Sequence, residues 1–261
     1  MALIRFLTLL LPVAAAGCIT RDGPVSSVTT IEELDQELAK RQAAVSDLQA
    51  DIGMTVEGLE HSGNFSAPVV VQPPSRMRMD AIKRMGPTLF TFTMDGDRFL
   101  LNLLFDGKAV VGSVKGQERK HPELVAAFAW LSERGEPGDV RGIEEDAADH
   151  LTVATRRGGV VVKRTRYERP TLFATRITLF DEGGAEIATV ELSDYREVKP
   201  PEAWPGPSAW IPWKMTVRGR TEEGNEYRVE SKMVRAYINE GLEPGIFDLT
   251  PPAGVPVEEA K

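Results

Sequence analysis

One cysteine, three histidines and an aromatic content of 7% in a chain of 261 residues remove several chemistries at the outset. A single thiol closes no internal disulfide and builds no conventional cysteine metal cluster. His61, His121 and His150 lie in polar or turn-like stretches, with no second histidine at ligand spacing and no serine elbow nearby, so they read as surface residues. No Gly-Lys-Ser/Thr follows any glycine cluster, and Gly158-Gly159 is hairpin punctuation and no phosphate cradle. Positive charge is also short. With 31 Lys and Arg against 39 Asp and Glu, the formal net charge is -8, which argues against a phosphate-binding surface and against nucleic acid as a partner. Glu144, Glu145, Asp146, Asp149 and His150 are close in sequence but lack the spacing of a metal site, and a solvated loop or helix tip is expected there. No metal, no cofactor and no catalytic residue is assigned. Beyond the first 17 residues no stretch approaches 18 consecutive apolar positions, which disfavours a membrane-spanning helix.

What is present is an ordinary globular composition, 42% apolar and 27% charged, with 23 Gly and 18 Pro between short apolar runs. That favours many strands and turns over a helical bundle. The amino terminus differs: Arg5, an apolar stretch from Phe6 to Val13, then Ala14, Ala15, Ala16 and Gly17 read as a signal peptide over residues 1–17. Leu3 to Gly17 would span only about 22 Å as a helix against a hydrocarbon core of about 30 Å. Ala15-Ala16-Gly17-Cys18 resembles the bacterial lipobox, with Ala15 where Leu is usual. The resemblance implies that Cys18 receives a diacylglyceryl group, becomes the first mature residue and is then N-acylated. Such an anchor exceeds the two-signal threshold for stable membrane attachment. Ile19 follows the cysteine where an aspartate would suggest inner-membrane retention, so the expected place is the outer membrane, facing the periplasm.

Residues 18–29 suit an acylated cysteine and flexible spacer, and 30–261 a single domain. Thr30 and Glu33 have capping-box spacing, and Ile31, Leu34, Leu38, Val45, Leu48 and Ile52 recur at helical intervals, predicting an amphipathic helix of about 22 residues. It either docks on a sheet or lies on a membrane, and its mixed-charge polar face favours docking. From Met54 the pattern becomes alternation. Met77, Met79 and Ala81 alternate with Arg76, Arg78 and Asp80; Phe90, Phe92 and Met94 alternate with Thr91 and Thr93; Phe99, Leu101, Leu103 and Phe105 follow the turn Asp95-Gly96-Asp97, with Leu100 and Leu104 making the other face apolar too. His121 to Arg134 predicts a central helix. Strands resume at Val160 to Thr165, Leu172 to Phe180, Ile187 to Leu192, Trp213 to Gly219 and Tyr227 to Val234, spaced for antiparallel hairpins, and no crossover helices suit a parallel sheet. Trp204, Trp210 and Trp213, set among five prolines, fit a lipid interface or a rigid loop over the open end of the sheet, and the loop is favoured.

This order of features resembles the LolA and LolB lipoprotein-localisation family over most of residues 30–258. The specific stretches are Val71 to Met79, Asp95-Gly96-Asp97-Arg98-Phe99, and Phe247-Asp248-Leu249-Thr250-Pro251-Pro252-Ala253-Gly254-Val255. The resemblance implies a mainly β fold, a strongly curved antiparallel sheet forming an incomplete barrel, with the amino-terminal and central helices over its concave face. It also implies a non-enzymatic carrier or receptor that shields acyl chains of lipoproteins or lipids. Met77, Met79, Phe90, Phe92, Met94, Leu101 and Leu103 would line the cavity; taken alone they favour a packed core, and the resemblance reverses that balance. Pro73 stands where the soluble carrier has a lid arginine, so that latch is missing. Met85, Pro87, Trp204 and Trp210 are candidates for a loop touching membrane or cargo. Expected partners are the membrane, acyl chains and a periplasmic carrier protein that delivers them. The alternative is an anchored structural or interaction subunit of an envelope complex, with no lipid ligand.

Overall fold

The computed structural model describes residues 28–59, 62–83, 86–114, 138–221 and 223–260. One helix, α1 (Ile31–Ala43), precedes strands β1 (Leu48–Glu57), β2 (Gly63–Gln72), β3 (Arg76–Lys83), β4 (Thr88–Asp95), β5 (Arg98–Leu103) and β6 (Lys108–Ser113). After residues 115–137 the chain continues as β7 (Val140–Asp146), β8 (His150–Arg157), β9 (Val160–Glu168), β10 (Phe173–Phe180), β11 (Glu186–Val198), β12 (Ala209–Arg220), β13 (Glu226–Ile238) and β14 (Val257–Glu259). The expected central helix from His121 to Arg134, together with Cys18, His61 and Met85, lies outside the described residues, where α1 is the only α-helix.

All fourteen strands join one open, curved sheet in the order β14-β6-β5-β4-β3-β2-β1-β13-β12-β11-β10-β9-β8-β7. Two meanders, β1 to β6 and β7 to β13, meet where β1 pairs antiparallel with β13, Leu48 opposite Ile238 and Val56 opposite Val229. The expected turns are present: Gly158 and Gly159 link β8 to β9, and Gly184 N donates to Asp181 O and Gly224 N to Thr221 O, each at 2.9 Å. Among the described strands only β14 is parallel to its neighbour, adding Val257 beside Ala109 on the β6 edge. The stretch from Phe247 to Val255 leads to it without regular structure.

α1 begins as predicted. The Thr30 side chain accepts from the Glu33 backbone, Glu33 reaches back to the cap, Glu32 and Glu33 occupy the first turn and Lys40 and Arg41 the last, an arrangement that matches the helix dipole. It ends nine residues before Ile52, with Ala44 as C-cap. Leu48 and Ile52 are therefore strand residues, a correction to the long helix. Leu48, Ala50, Ile52 and Met54 point to one face of β1, opposite Val71, Val69, Ala67 and Phe65 of β2. A spacing of four satisfies both the helical period and strand alternation, so those two leucine and isoleucine positions could not discriminate. Val45 lies in the connection and packs on the β1–β6 half of the sheet.

The apolar face has two clusters. In the first, Leu34 and Leu38 of α1 pack on Leu151, Val153, Tyr167, Ile177, Val190 and Val217 of β8 to β12. The second gathers Leu48, Val69, Val71, Met77, Phe92, Met94 and Phe99 from β1 to β5 with Ile211, Met233 and Ile238. Ile211, Trp213, Met215 and Val217 alternate along β12 and pass from the second cluster to the first, so both lie on one side of the sheet. Each fully buried leucine of α1 contributes about 1.5–3 kcal/mol. Arg41 fixes the helix end: its Nη1 donates to Leu172 O at 2.9 Å and its Nη2 to Thr171 O at 2.6 Å, while the guanidinium carbon lies 5.4 Å from the Phe173 ring centre.

The acidic segment is a loop only at Asp149, exposed in the β7–β8 turn; its other members correct that expectation. Glu144, Glu145 and Asp146 belong to β7 and His150 opens β8. What makes the strand tolerable is a row of arginines opposite: Arg156 and Arg164 both bind Glu144 at 2.7 Å, and Arg169 binds Asp146 at 2.6 Å.

Candidate functional site

The seven predicted lining residues lie on three adjoining strands and on one face. Register places Met77 opposite Met94, Met79 opposite Phe92 and Ala81 opposite Phe90, then Met94 opposite Phe99, Phe92 opposite Leu101 and Phe90 opposite Leu103. The result is a set of apolar rungs running across the sheet. One continues from Ala50 and Val69 through Met79, Phe92 and Leu101 to Val110. Alternation with period two puts these side chains together without any special residue, because every polar neighbour is turned to the other face. Phe92 and Phe99 stack at 5.8 Å between ring centres. Gly112 is needed beside them: a Cβ there would approach Phe99 Cε1 to 3.0 Å and Ala260 Cβ to 2.7 Å.

Burial is graded along the rungs. Phe92 is 1% exposed, Met77 5% and Met94 7%, whereas Met79, Phe90, Leu101 and Leu103 are half-buried. Unbranched methionines with three rotatable bonds make such a face adaptable in shape. Arg196 of β11 stands opposite Ile211, its guanidinium carbon 4.9 Å from the centre of the Trp213 ring and its Nη2 2.9 Å from Asp194.

The other predicted contacts separate. Trp204 is in the β11–β12 loop and partly exposed, while Trp210 and Trp213 are part of β12, so the loop reading fits only the first. Trp210 packs against Phe173, with ring centres 5.5 Å apart. Pro87 is exposed in the β3–β4 turn, at the rim of the sheet opposite Trp204.

Two features escaped the sequence reading. Leu104 and Phe105, expected on the strand, form the β5–β6 turn instead, because β5 ends at Leu103; they are 47% and 81% exposed. A groove of about 820 Å³ runs beside β10 to β13, lined by Glu57, Arg176, Glu191, Arg218 and Arg228 among others. Glu191 accepts from Arg176 at 2.9 Å and from Arg218 at 2.7 Å, and these contacts, Arg176 first, hold its carboxyl below the ordinary range. This surface is a balanced ionic lattice on the face opposite the apolar rungs. Among the described residues no group of three or more His, Cys, Asp or Glu side chains is placed to hold a metal, and no helix is long and apolar enough to cross a membrane.

No protein-family model and no curated protein matches the sequence. Solved structures do match. A domain described as an outer membrane lipoprotein-sorting protein from Vibrio parahaemolyticus superposes with a TM-score of 0.58 at 14% identity, covering 83% of this chain and 95% of that one. A LolA superfamily protein from Nitrosomonas europaea gives 0.56 at 9% identity, covering 84% and 98%. The chain has a LolA-like fold. A DUF1329 family protein from Desulfovibrio piger shares this LolA-like architecture, with a TM-score of 0.58, 10% identity and coverage of 84% and 98%. At these identities the likeness concerns the fold.

Proposed function

We propose that the protein is a non-enzymatic lipoprotein, anchored through acylated Cys18 to the outer membrane and facing the periplasm, that shields acyl chains of lipoproteins or lipids as a carrier or receptor. The observation that supports this most directly is the half-buried apolar row of Met79, Phe90, Leu101 and Leu103 on the inner face of a LolA-like sheet. A face of this kind gains from covering acyl chains, at about 0.8 kcal/mol per buried methylene. Transfer then follows a hydrophobic gradient. The site must hold chains more tightly than water does and less tightly than a bilayer, so that release at a membrane is downhill with no nucleotide consumed. A periplasmic carrier protein is the expected donor if the chain acts as a receptor.

The competing reading is an anchored interaction subunit whose core is filled by its own side chains, and the burial of Phe92 and Met77 favours it. Native mass spectrometry of the chain carrying Cys18→Ala separates the two. Copurified lipid, identified after extraction, supports the carrier; a ligand-free protein that stays ligand-free after incubation with acylated peptide sinks it. The same variant tests the anchor, since it should move to the soluble fraction with its fold intact.

A further inference from the structure

We infer that Asp194 and Arg196, with the guanidinium lying over Trp213, form a headgroup subsite at the edge of the apolar face, and that its ligand is a lipid with a zwitterionic phosphoethanolamine head: a phosphodiester oxygen meets Arg196 and the primary ammonium meets Asp194. This rests on the acyl-chain reading above and names the class of lipid that the face would hold. Register carries the first step. Along β11, Val190 and Leu192 stand opposite Val217 and Met215, and Arg196 and Val198 opposite Ile211 and Ala209. By alternation Asp194 and Arg196 interrupt a row whose other members face the two apolar clusters. Leu192, Val198 and Ile211 are buried, whereas the Arg196 side chain is 50% exposed and that of Asp194 31%.

Stability does not account for an ion pair in such a row, because apolar side chains of similar volume hold a sheet face as well or better. What the pair offers is open contacts. Arg196 Nε donates to Asp194 Oδ1 at 3.3 Å and Nη2 to Oδ2 at 2.9 Å, so one edge of the fork is taken. Nη1 makes no hydrogen bond among the described residues, which leaves the second edge for another oxyanion. The Trp213 ring, its centre 4.9 Å from the guanidinium carbon, holds the plane in place. Each Asp194 oxygen accepts one bond and has room for another. Its carboxyl is held below the ordinary range chiefly by Arg196, with burial opposing and Lys214 and Lys232 adding to it. Asp194 also keeps a left-handed backbone, φ 56°, unusual inside a strand and of a kind that clusters at binding sites.

The charges of the pair select the head. A purely anionic head sets its charge against the Asp194 carboxylate, and an uncharged one covers both ions without answering either; a zwitterion satisfies both. Position agrees. Arg196 is two residues from the end of β11, so the head keeps its contact with water at the rim. Trp213 belongs to the same cluster as Ile52, Met54 and Met79, all half-buried, which carry the apolar surface from the subsite toward β3.

The test uses the full chain carrying Cys18→Ala. It is incubated with vesicles of phosphatidylethanolamine and phosphatidylglycerol in equal amounts and with identical acyl chains, and separately with a triacylated lipopeptide; bound molecules are counted by native mass spectrometry after re-isolation. The parent should prefer the ethanolamine lipid by about tenfold, the worth of one charge-assisted contact. Asp194→Asn should turn the preference toward phosphatidylglycerol, and Arg196→Gln should lower the loading of both. Arg196→Lys keeps the charge without the fork and should retain part of the preference, which covers a glutamine variant that fails to fold. A merely structural pair would change stability and leave the ratio of the two lipids where it was. Equal uptake of both by the parent, or a ratio unmoved by Asp194→Asn, overturns the subsite. Uptake of the lipopeptide alone overturns the subsite and keeps the carrier, whereas no uptake of any of the three sinks the carrier and the subsite with it.

Discussion

Met79 of β3 stands directly opposite Phe92 of β4, yet the two are unequally covered: Phe92 is 1% exposed and Met79 half-buried. The pair lies at the boundary between packed core and accessible lining, and the two substitutions should separate accordingly. Phe92→Ala removes a ring stacked on Phe99 and should cost about 3–5 kcal/mol of stability, read as a lowered denaturant midpoint. Met79→Ala, with less to lose, should cost less than half of that in the same titration. Equal losses would mean that Met79 is as much a core residue as its neighbour.

A charge at the same boundary gives a functional counterpart. Met79→Asp puts an unpaired carboxylate among apolar side chains, which raises its protonation affinity and penalises any bound hydrocarbon. Expected is a folded protein, by circular dichroism, that no longer copurifies with lipid. Full lipid loading in this variant would remove the β3–β5 face from the site.

Much of this face was legible because strand alternation is a two-residue pattern that the β3 and β4 sequences carry without interruption, and the turns at Asp95-Gly96 and Gly158-Gly159 set the register. The α1–β1 boundary was not. Leu48 and Ile52 suit either period, and what decides is tertiary: β1 is flanked by β2 and β13, the latter almost two hundred residues away, so the pairing that extends the backbone there has no local signature. The acidic stretch failed for a related reason. Glu144 is stable in β7 because Arg156 and Arg164 reach it from β8 and β9, partners that sequence proximity does not display. The strand expected through Phe105 stops at Leu103, because no periodicity distinguishes an exposed apolar turn from the end of an apolar strand.

Removing the Arg41 side chain tests how α1 is held. Its two charge-assisted hydrogen bonds to Thr171 O and Leu172 O have no substitute in Arg41→Ala, and a bond of this type contributes about 1.5–3 kcal/mol. Discounting for the partial exposure of the group, the variant should lose about 1–3 kcal/mol. Arg41→Lys should recover little, because one ammonium cannot reproduce the planar two-carbonyl fork. Thermal melts of the three proteins decide the matter, and a lysine variant as stable as the parent would show that charge alone secures the helix end.

The β7–β8 hairpin should respond to pH through His150. Asp149 first, then Glu145, raise the imidazole pKa from its ordinary 6.5, against opposition from burial and from Arg166. The folded state therefore favours the protonated ring: its stabilisation is fully present below about 6.5 and is lost as pH rises through the elevated folded value. Glu145 and Asp149, held low chiefly by His150, act in the opposite sense, contributing above their ordinary carboxylate range and failing as pH falls through their depressed values. The contribution of the hairpin is greatest between these limits. His150→Gln should flatten the alkaline decline in melting temperature. A variant whose decline parallels the parent's would assign that pH dependence elsewhere.

Asn239 joins the end of β13 to the α1–β1 connection and offers the sharpest test of how the two meanders are locked together. It adopts a left-handed backbone, φ 60°, and is 5% exposed. Its Oδ1 accepts from Ser46 N at 2.7 Å and from Ser46 Oγ at 2.9 Å, and its Nδ2 donates to Ala44 O at 2.9 Å. Asn239→Ala loses all three contacts and places a Cβ-bearing residue without a compensating local bond at positive φ. Asn239→Gly loses the contacts but accepts the backbone. Leaving a buried polar group unpaired costs about 1–3 kcal/mol, so the glycine variant should lose at least this much and the alanine variant about 1–2 kcal/mol more. Both differences are read from denaturant unfolding at one pH. If glycine restored the parent's stability, the side-chain contacts would be dispensable and the conformation of residue 239 alone would hold β13 against β1.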